Sequence, residues 1–123
     1  MRYMMFIEHR ELGTAATPPQ GLLDAMGEFV GAEMKSGRLV DTAGLKPTKD
    51  GTRIRSNKGK LTSTDGPFTE AKEIIGGYAL VETKSREEAM ELATQFMELH
   101  RVHWPEFDCE SEVRPMFEPG EGP

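Results

Sequence analysis

Residues 2–8 read Arg-Tyr-Met-Met-Phe-Ile-Glu, and this stretch decides the fold. Side chains alternate between the two faces of a β-strand, yet here apolar residues occupy both odd and even positions between two charged ends. A strand with this pattern is buried on both faces, as the central strand of a sheet is. The sequence therefore predicts a sheet in which the first strand is central and both faces are covered.

Two amphipathic helices are predicted to pack against this sheet. The first begins after Pro18-Pro19 and ends at Gly37, and its apolar stripe consists of Leu22, Met26, Phe29, Val30 and Met34. The second opens with a capping box from Ser85 to Glu88, and its stripe consists of Ala89, Leu92, Ala93, Phe96 and either Leu99 or His100. One apolar stripe on each helix indicates that each packs on a sheet through one side only.

The remaining segments predict five more strands, at residues 38–45, 52–56, 60–65, 74–83 and 110–117. Asn57-Lys58-Gly59 joins two of them as a hairpin turn in which Asn and Gly can adopt positive φ. The predicted order is β-α-β-β-β-β-α-β, and right-handed crossovers place both helices on the same face of the sheet. The other face would expose a large apolar patch, so we expect a homodimer in which two sheets stack.

Two pairs of glycines lie inside predicted elements. Gly27 and Gly31 lower the stability of the first helix, which suggests that they allow close backbone packing on that face. Gly76-Gly77 opens the strand at 74–83 and predicts a bulge or another close backbone approach.

The composition bounds the class of protein. Asp and Glu number 21 against 15 Lys and Arg, which gives the 123-residue chain a net charge of −6. We expect one domain at residues 1–117 and a flexible tail at 118–123. An acidic chain disfavours nucleic acid as a partner, because phosphate binding needs clustered Lys and Arg. No apolar run approaches the ~18 residues of a membrane span and no export signal is present, so we expect a soluble, cytoplasmic protein.

Candidate functional residues are densest around a predicted bend. Asp65 precedes Gly66-Pro67, and the proline fixes a bend that could aim the carboxylate at a ligand. The alternative is an Asp that accepts hydrogen bonds and holds the turn. Phe68 is either a core anchor or a ring that stacks on a ligand. Glu70, Lys72 and Glu73 bring together charges that could shift one another's pKa, as acid–base catalysis requires, or form a solvated connector.

Other candidates lie near the ends of predicted elements. Arg114 on the last strand could hold a substrate carboxylate, or it could form a salt bridge to Glu112 or to the Asp65 segment across the sheet. His9, just beyond the first strand, is a candidate general base. His100 and His103 are three residues apart, as two metal ligands on one helix can be, but no third ligand follows from spacing and a helix's last turn favours contact with its carbonyls. We therefore expect neither a metal nor a cofactor.

Residues 64–77 read Thr-Asp-Gly-Pro-Phe-Thr-Glu-Ala-Lys-Glu-Ile-Ile-Gly-Gly and precede Tyr78, and this block resembles the DGPF family of the YCII-related superfamily. Three further blocks occur in the expected order, at Arg2–Met4, Lys84–Ala89 and Glu112–Pro115. The resemblance implies a ferredoxin-like α+β subunit with a mixed or antiparallel sheet and two helices on one face. It also implies that two such sheets pack face to face in a dimeric α/β barrel.

The resemblance also bears on function. Superfamily relatives include a dehydrochlorinase and muconolactone-isomerase-like proteins that use a cavity beside the sheet, and some relatives carry a His-Asp pair with a proposed catalytic role. In this sequence no His lies in the predicted first helix, and His9 follows the first strand. Family members are also similar to proteins found with, or fused to, extracytoplasmic-function sigma factors, which implies a sensing or accessory role as the alternative to catalysis.

We therefore expect a protein that binds a small anionic metabolite in a pocket bordered by the bend and the last strand, with acid–base activity of the lyase or isomerase type. The candidate catalytic residues are Asp65, His9 and Glu73, and the candidate ligand-binding residues are Arg114, Lys72 and Phe68. The sequence leaves open whether the ligand is transformed. The alternative is a non-enzymatic sensing or accessory protein associated with a sigma factor.

Overall fold

The computed structural model describes residues 1–11, 17–68 and 72–123. In these ranges the elements follow the predicted order. The strands are β1 (Arg2–His9), β2 (Leu39–Gly44), β3 (Thr52–Asn57), β4 (Lys60–Asp65), β5 (Ile74–Glu82) and β6 (Cys109–Pro115). The helices are α1 (Gln20–Ser36) and α2 (Arg86–His103), and a 3-10 turn (Thr48–Asp50) lies between β2 and β3. Residues 69–71 of the DGPF-like block lie outside the described residues.

Four strands form one antiparallel sheet in the order β2-β5-β1-β6. The first strand is central, because Met5 lies opposite Ala79 of β5 on one side and Val113 of β6 on the other. With α1 between β1 and β2, and α2 between β5 and β6, this is the ferredoxin-like α+β arrangement, so the predicted fold class is confirmed. In the described ranges β3 and β4 form a separate two-stranded sheet, a hairpin inserted between β2 and β5.

The hydrophobic core lies between one face of the sheet and the two helices. Tyr3 and Met5 of β1 point to this face and are 6% and 7% exposed. The other buried members of the core are Leu39, Val81, Ala89, Leu92 and Ala93, and α1 adds the partly buried Phe29 and Val30. Both helices therefore cover the same face, as the crossover rule predicts. Burial of a side chain such as Leu92 contributes about 1.5–3 kcal/mol to the free energy of unfolding.

The ends of the helices follow the sequence signals. The Ser85 hydroxyl accepts a hydrogen bond from the Glu88 N–H at 3.1 Å, and the Glu88 carboxylate accepts one from the Lys84 N–H at 3.2 Å. This confirms the capping box, with the return bond shifted to the residue before the cap. Gly37 ends α1 with a φ of 85°. Within the described ranges neither helix has both the length and the apolar character that crossing a membrane requires.

One local prediction about backbone geometry was wrong, and another was right only in part. A Cβ built at Gly27 or Gly31 would meet no described atom within 4 Å beyond the backbone of its own helix, so these glycines do not serve close packing. The predicted hairpin turn joins β3 and β4 and its Gly59 has a positive φ (79°), but the other positive φ belongs to Lys58 (52°) and not to Asn57. Lys58 therefore adopts the left-handed conformation, which is less favourable for Lys than for Asn.

The sheet face away from the helices carries apolar side chains at its centre. Met4 and Phe6 alternate with the buried residues of β1 and lie on this opposite face together with Leu80, and all three are half-buried. Charged side chains flank them on β1 and β6. The division into a domain of residues 1–117 and a flexible tail of residues 118–123 stays a prediction.

Candidate functional site

A cavity of about 670 Å³ lies between the sheet and the two helices. Its volume is in the range of about 300–1,000 Å³ that small-molecule sites occupy. Its lining is mostly apolar and comes from every strand of the four-stranded sheet and from both helices. The lining residues discussed below include Met5, His9, Met26, Phe96 and His100.

Small residues of the sheet leave this space open. Gly44 of β2 lies opposite Gly77 of β5, and Thr42 lies opposite Ala79. None of these side chains is large enough to fill the gap between sheet and helices. The register of β1 and β5 shifts at Gly76, which confirms the predicted bulge. The sequence thus creates the cavity by placing small residues where β2 and β5 pair.

His9 ends β1 at one side of this cavity. Its Nδ1 lies 2.7 Å from the Arg10 carbonyl oxygen. Because a carbonyl oxygen only accepts, Nδ1 carries the proton in this bond and Nε2 is left as an acceptor. The ring packs against Phe107 at a centroid distance of 5.1 Å, and a Cβ at Gly76 would lie 2.5 Å from Nε2. The bulge glycine therefore makes room for the imidazole.

Aromatic side chains at and beyond the end of α2 form another part of the wall. Phe107 stacks on Trp104 at 4.1 Å, and His100 meets the Phe96 ring edge-on at 4.8 Å. His100 is 7% exposed, and its Nδ1 donates to the Phe96 carbonyl oxygen at 3.0 Å. His100 thus makes the carbonyl contact predicted for the last turn of the helix. His100 and Phe107 also border a smaller pocket of about 210 Å³.

Hydrogen bonds through Thr48 connect the rim of the cavity to the predicted bend. The Glu11 carboxylate accepts hydrogen bonds from the Thr48 hydroxyl and, at 2.7 Å, from the Thr48 N–H, and these bonds lower the pKa of Glu11. The Thr48 hydroxyl in turn accepts from the Phe68 N–H at 3.4 Å. A Cβ at Gly66 would overlap the Thr48 carbonyl oxygen. The bend at Asp65–Phe68 therefore supports the turn beside Lys46 and Pro47, which line the cavity.

Most of the predicted site residues lie elsewhere. Asp65 is exposed and accepts a hydrogen bond from the Thr52 hydroxyl at 2.9 Å. Phe68 is 8% exposed and lies under the Arg53 guanidinium, 3.9 Å from its ring centroid. Lys72 is exposed in the segment before β5. Their predicted roles in binding and catalysis stay predictions.

Arg114 lies on the face of the sheet away from the helices. Glu73 lies in the segment before β5, near Glu8. Arg114 is exposed and forms an ion pair with Glu112 at 3.5 Å, one of the alternatives that the sequence left open. Partial burial raises the pKa of Glu8 on this face, and the carboxylates of Glu112, Glu73 and Glu110 raise it further. Of the six predicted site residues, His9 is the one that lines the large cavity.

Sequence reasoning did not single out several residues of the cavity wall as a site. Trp104 and Phe107 follow the last helix as an aromatic pair, and Phe96 and His100 are four residues apart on the apolar stripe of α2. Helical spacing places Phe96 and His100 on one face, and that signal was available. Glu11 carried no comparable signal, because its partner Thr48 is distant in sequence. Among the described residues, no group of three His, Cys, Asp or Glu side chains is arranged to hold a metal ion.

A ferredoxin-like α+β subunit with a cavity between its sheet and its helices defines the structural class of this protein. Residues 1–97 match the YCII-related domain, and the chain belongs to the YCII-related family. It is also similar to an uncharacterized protein of Rhizobium meliloti (strain 1021), with 33% identity over 92 residues. That match covers 73% of this chain and 70% of the relative.

Proposed function

We propose that this YCII-related protein binds a small, mostly apolar molecule in the cavity between its sheet and its helices. The observation that carries the proposal is the cavity itself, about 670 Å³ in volume with a mostly apolar lining. Water in such a space has few polar partners, so an apolar ligand gains free energy by displacing it.

We further propose proton transfer by His9 as the chemistry of this site, of the lyase or isomerase type. The hydrogen bond from Nδ1 to the Arg10 carbonyl oxygen holds the ring in the tautomer that leaves Nε2 free to take a proton. The imidazole then returns the proton to the ligand or to water. Such a base contributes about 10²- to 10⁴-fold to a rate.

A thermal-shift screen of metabolites, followed by turnover assays on the compounds that bind, tests both steps. In His9→Asn the amide can still donate to the Arg10 carbonyl, but Nε2 is gone. We expect turnover to fall at least a hundredfold while ligand binding is kept. If this variant keeps both binding and turnover, His9 is not the base.

The sequence-based version of the function places an anionic ligand near the DGPF bend and makes Asp65 and Arg114 essential. The variants Asp65→Asn and Arg114→Ala separate the two versions. With the ligand in the cavity, we expect both to bind like wild type, because neither residue lines it. If either variant loses binding while His9→Asn keeps both binding and turnover, the site near the bend is favoured.

We also propose that the protein is a cytoplasmic member of the DGPF branch and forms a dimeric barrel through the sheet face away from the helices. The half-buried Met4, Phe6 and Leu80 on that face support the dimer.

The alternative function, an accessory protein of a sigma factor, draws its support from the β3–β4 hairpin. Ile54 and Leu61 lie on one face of this hairpin and are 74% and 70% exposed. Exposed aliphatic side chains of this kind suit contact with another protein. Co-purification of a sigma factor that is lost in Ile54→Ser/Leu61→Ser would support this function.

A further inference from the structure

The charges around the large cavity bear on the class of ligand, an inference that rests on the binding function proposed above. Among the described lining residues, the formally charged side chains are Glu11, Glu33 and Lys46. Glu33 is ion-paired with Arg38 at 2.6 Å, and the Glu11 carboxylate is held by Thr48. Lys46 is exposed to water. Among the described lining residues there is no guanidinium to bind a ligand carboxylate, and the two lining carboxylates would repel such a ligand.

His100 adds an acceptor to this lining. Its Nδ1 donates to the Phe96 carbonyl oxygen, so its Nε2 keeps a lone pair. Nε2 has no hydrogen-bond partner among the described residues, and in those residues no side-chain nitrogen or oxygen is both fully buried and without a partner. Nε2 is therefore not fully buried, although the residue as a whole is 7% exposed, and His100 lines both the large cavity and the smaller pocket of about 210 Å³.

We propose that the cavity selects a neutral, mostly apolar molecule that carries a hydroxyl or N–H donor, and that Nε2 of His100 accepts the hydrogen bond from that donor. A ligand without the donor leaves Nε2 unpaired when it displaces water, which costs binding free energy. A carboxylate loses its hydration, and the one oppositely charged side chain among the described lining residues is Lys46, which stays exposed to water.

Three probes with the same ring system separate these cases: 2-naphthol, 2-methylnaphthalene and 2-naphthoate. Binding is measured by titration with ligand-observed NMR at pH 8. We expect 2-naphthol to bind about tenfold more tightly than 2-methylnaphthalene, the ratio that one hydrogen bond supplies. We expect 2-naphthoate to bind most weakly of the three.

The variant His100→Asn removes Nε2 and keeps a side-chain N–H for the Phe96 carbonyl. It should bind 2-naphthol and 2-methylnaphthalene equally, and unchanged affinity for 2-methylnaphthalene shows that the cavity is intact. His103→Asn is the matched control, because His103 is exposed in the same last turn and does not line the cavity. It should keep the wild-type preference.

Two results would overturn the inference alone: tightest binding of 2-naphthoate, or a preference for 2-naphthol that survives in His100→Asn. If none of the three probes binds, the cavity is not a ligand site, and the proposed function fails together with the inference.

Discussion

At the scale of single residues, the cavity depends on packing and hydrogen-bond contacts that hold its lining in place. Gly76 gives the His9 imidazole its place against Phe107, and Thr48 joins the Glu11 carboxylate to the backbone of Phe68. The bend that the sequence suggested as a ligand site is thus connected to the cavity through hydrogen bonds at its rim. Substitutions at Gly66 or Phe68, the bend residues that contact Thr48, would act on the cavity indirectly, through the turn beside it.

Gly76 gives the first residue-scale prediction. In Gly76→Ala the new Cβ would lie 2.5 Å from Nε2 of His9, so the imidazole must move. We expect the free energy of unfolding to fall by about 1–3 kcal/mol, the usual cost of overpacking. The control is Gly44→Ala, another strand glycine of the cavity, where no described atom lies within 4 Å of the new Cβ. Urea unfolding that gives equal losses for the two variants would contradict this role of Gly76.

Glu8 gives a prediction about pH. Burial and the neighbouring carboxylates raise its pKa, so the folded state binds its proton more tightly than the unfolded chain does. The ionised carboxylate therefore destabilises the fold above the raised pKa, and this cost disappears as the pH falls below the ordinary pKa of Glu.

Glu8→Gln should accordingly raise the free energy of unfolding at pH 8 and have little effect near pH 3, as measured by urea unfolding at a fixed protein concentration. Glu91→Gln, exposed on α2 at the other side of the sheet, is the control and should change stability little at either pH. A Glu8→Gln variant that is less stable than wild type at pH 8 would refute repulsion between Glu8 and the neighbouring carboxylates of Glu73, Glu110 and Glu112.

At the scale of elements, the two glycines inside α1 differ from the glycine that ends it. Gly31 meets no described atom that a Cβ would strike, whereas Gly37 has a φ of 85° that disfavours any side chain. We expect Gly31→Ala to raise the free energy of unfolding by up to ~1 kcal/mol and Gly37→Ala to lower it by about the same amount. Thermal and urea unfolding that show the same sign for both variants would contradict the assignment of the helix end.

The sequence predicted most of the elements because local signals mark them. The capping box at Ser85, the stop at Gly37 and the two-sided apolar pattern of residues 2–8 each depend on neighbours in the chain. The cavity was not predicted, because it arises where Gly44 of β2 meets Gly77 of β5, a pairing between distant segments. His9 was a candidate because of its imidazole chemistry, and its role stays a prediction. His100 was considered for the apolar stripe of the helix and for metal binding, but not as part of a cavity wall.

At the scale of the whole molecule, both helices cover one face of the sheet. Met4, Phe6 and Leu80 on the other face are half-buried and are flanked by charged residues. In the proposed dimer, these apolar side chains would be buried against a second copy of the chain.

Light scattering should therefore report a dimer at micromolar concentration. Phe6→Lys places a charge at the centre of this face and should shift the protein towards a monomer. Val102→Lys, at a 56% exposed position on α2, is the matched control and should remain a dimer. A well-folded wild-type monomer throughout the micromolar range would contradict the proposed barrel.

The position of the ligand can be measured directly with the chain's eight methionines as reporters. Met5 and Met26 line the cavity, whereas Met4 lies on the opposite face of the sheet and Met116 follows β6. Protein labelled with ¹³C at the methionine methyl groups is titrated with N-phenyl-1-naphthylamine, a neutral apolar probe, and followed by two-dimensional NMR. We expect the methyl signals of Met5 and Met26 to shift in step with saturation while those of Met4 and Met116 stay in place. Shifts at Met4 or Met116, with Met5 and Met26 unchanged, would contradict the cavity between sheet and helices as the binding site.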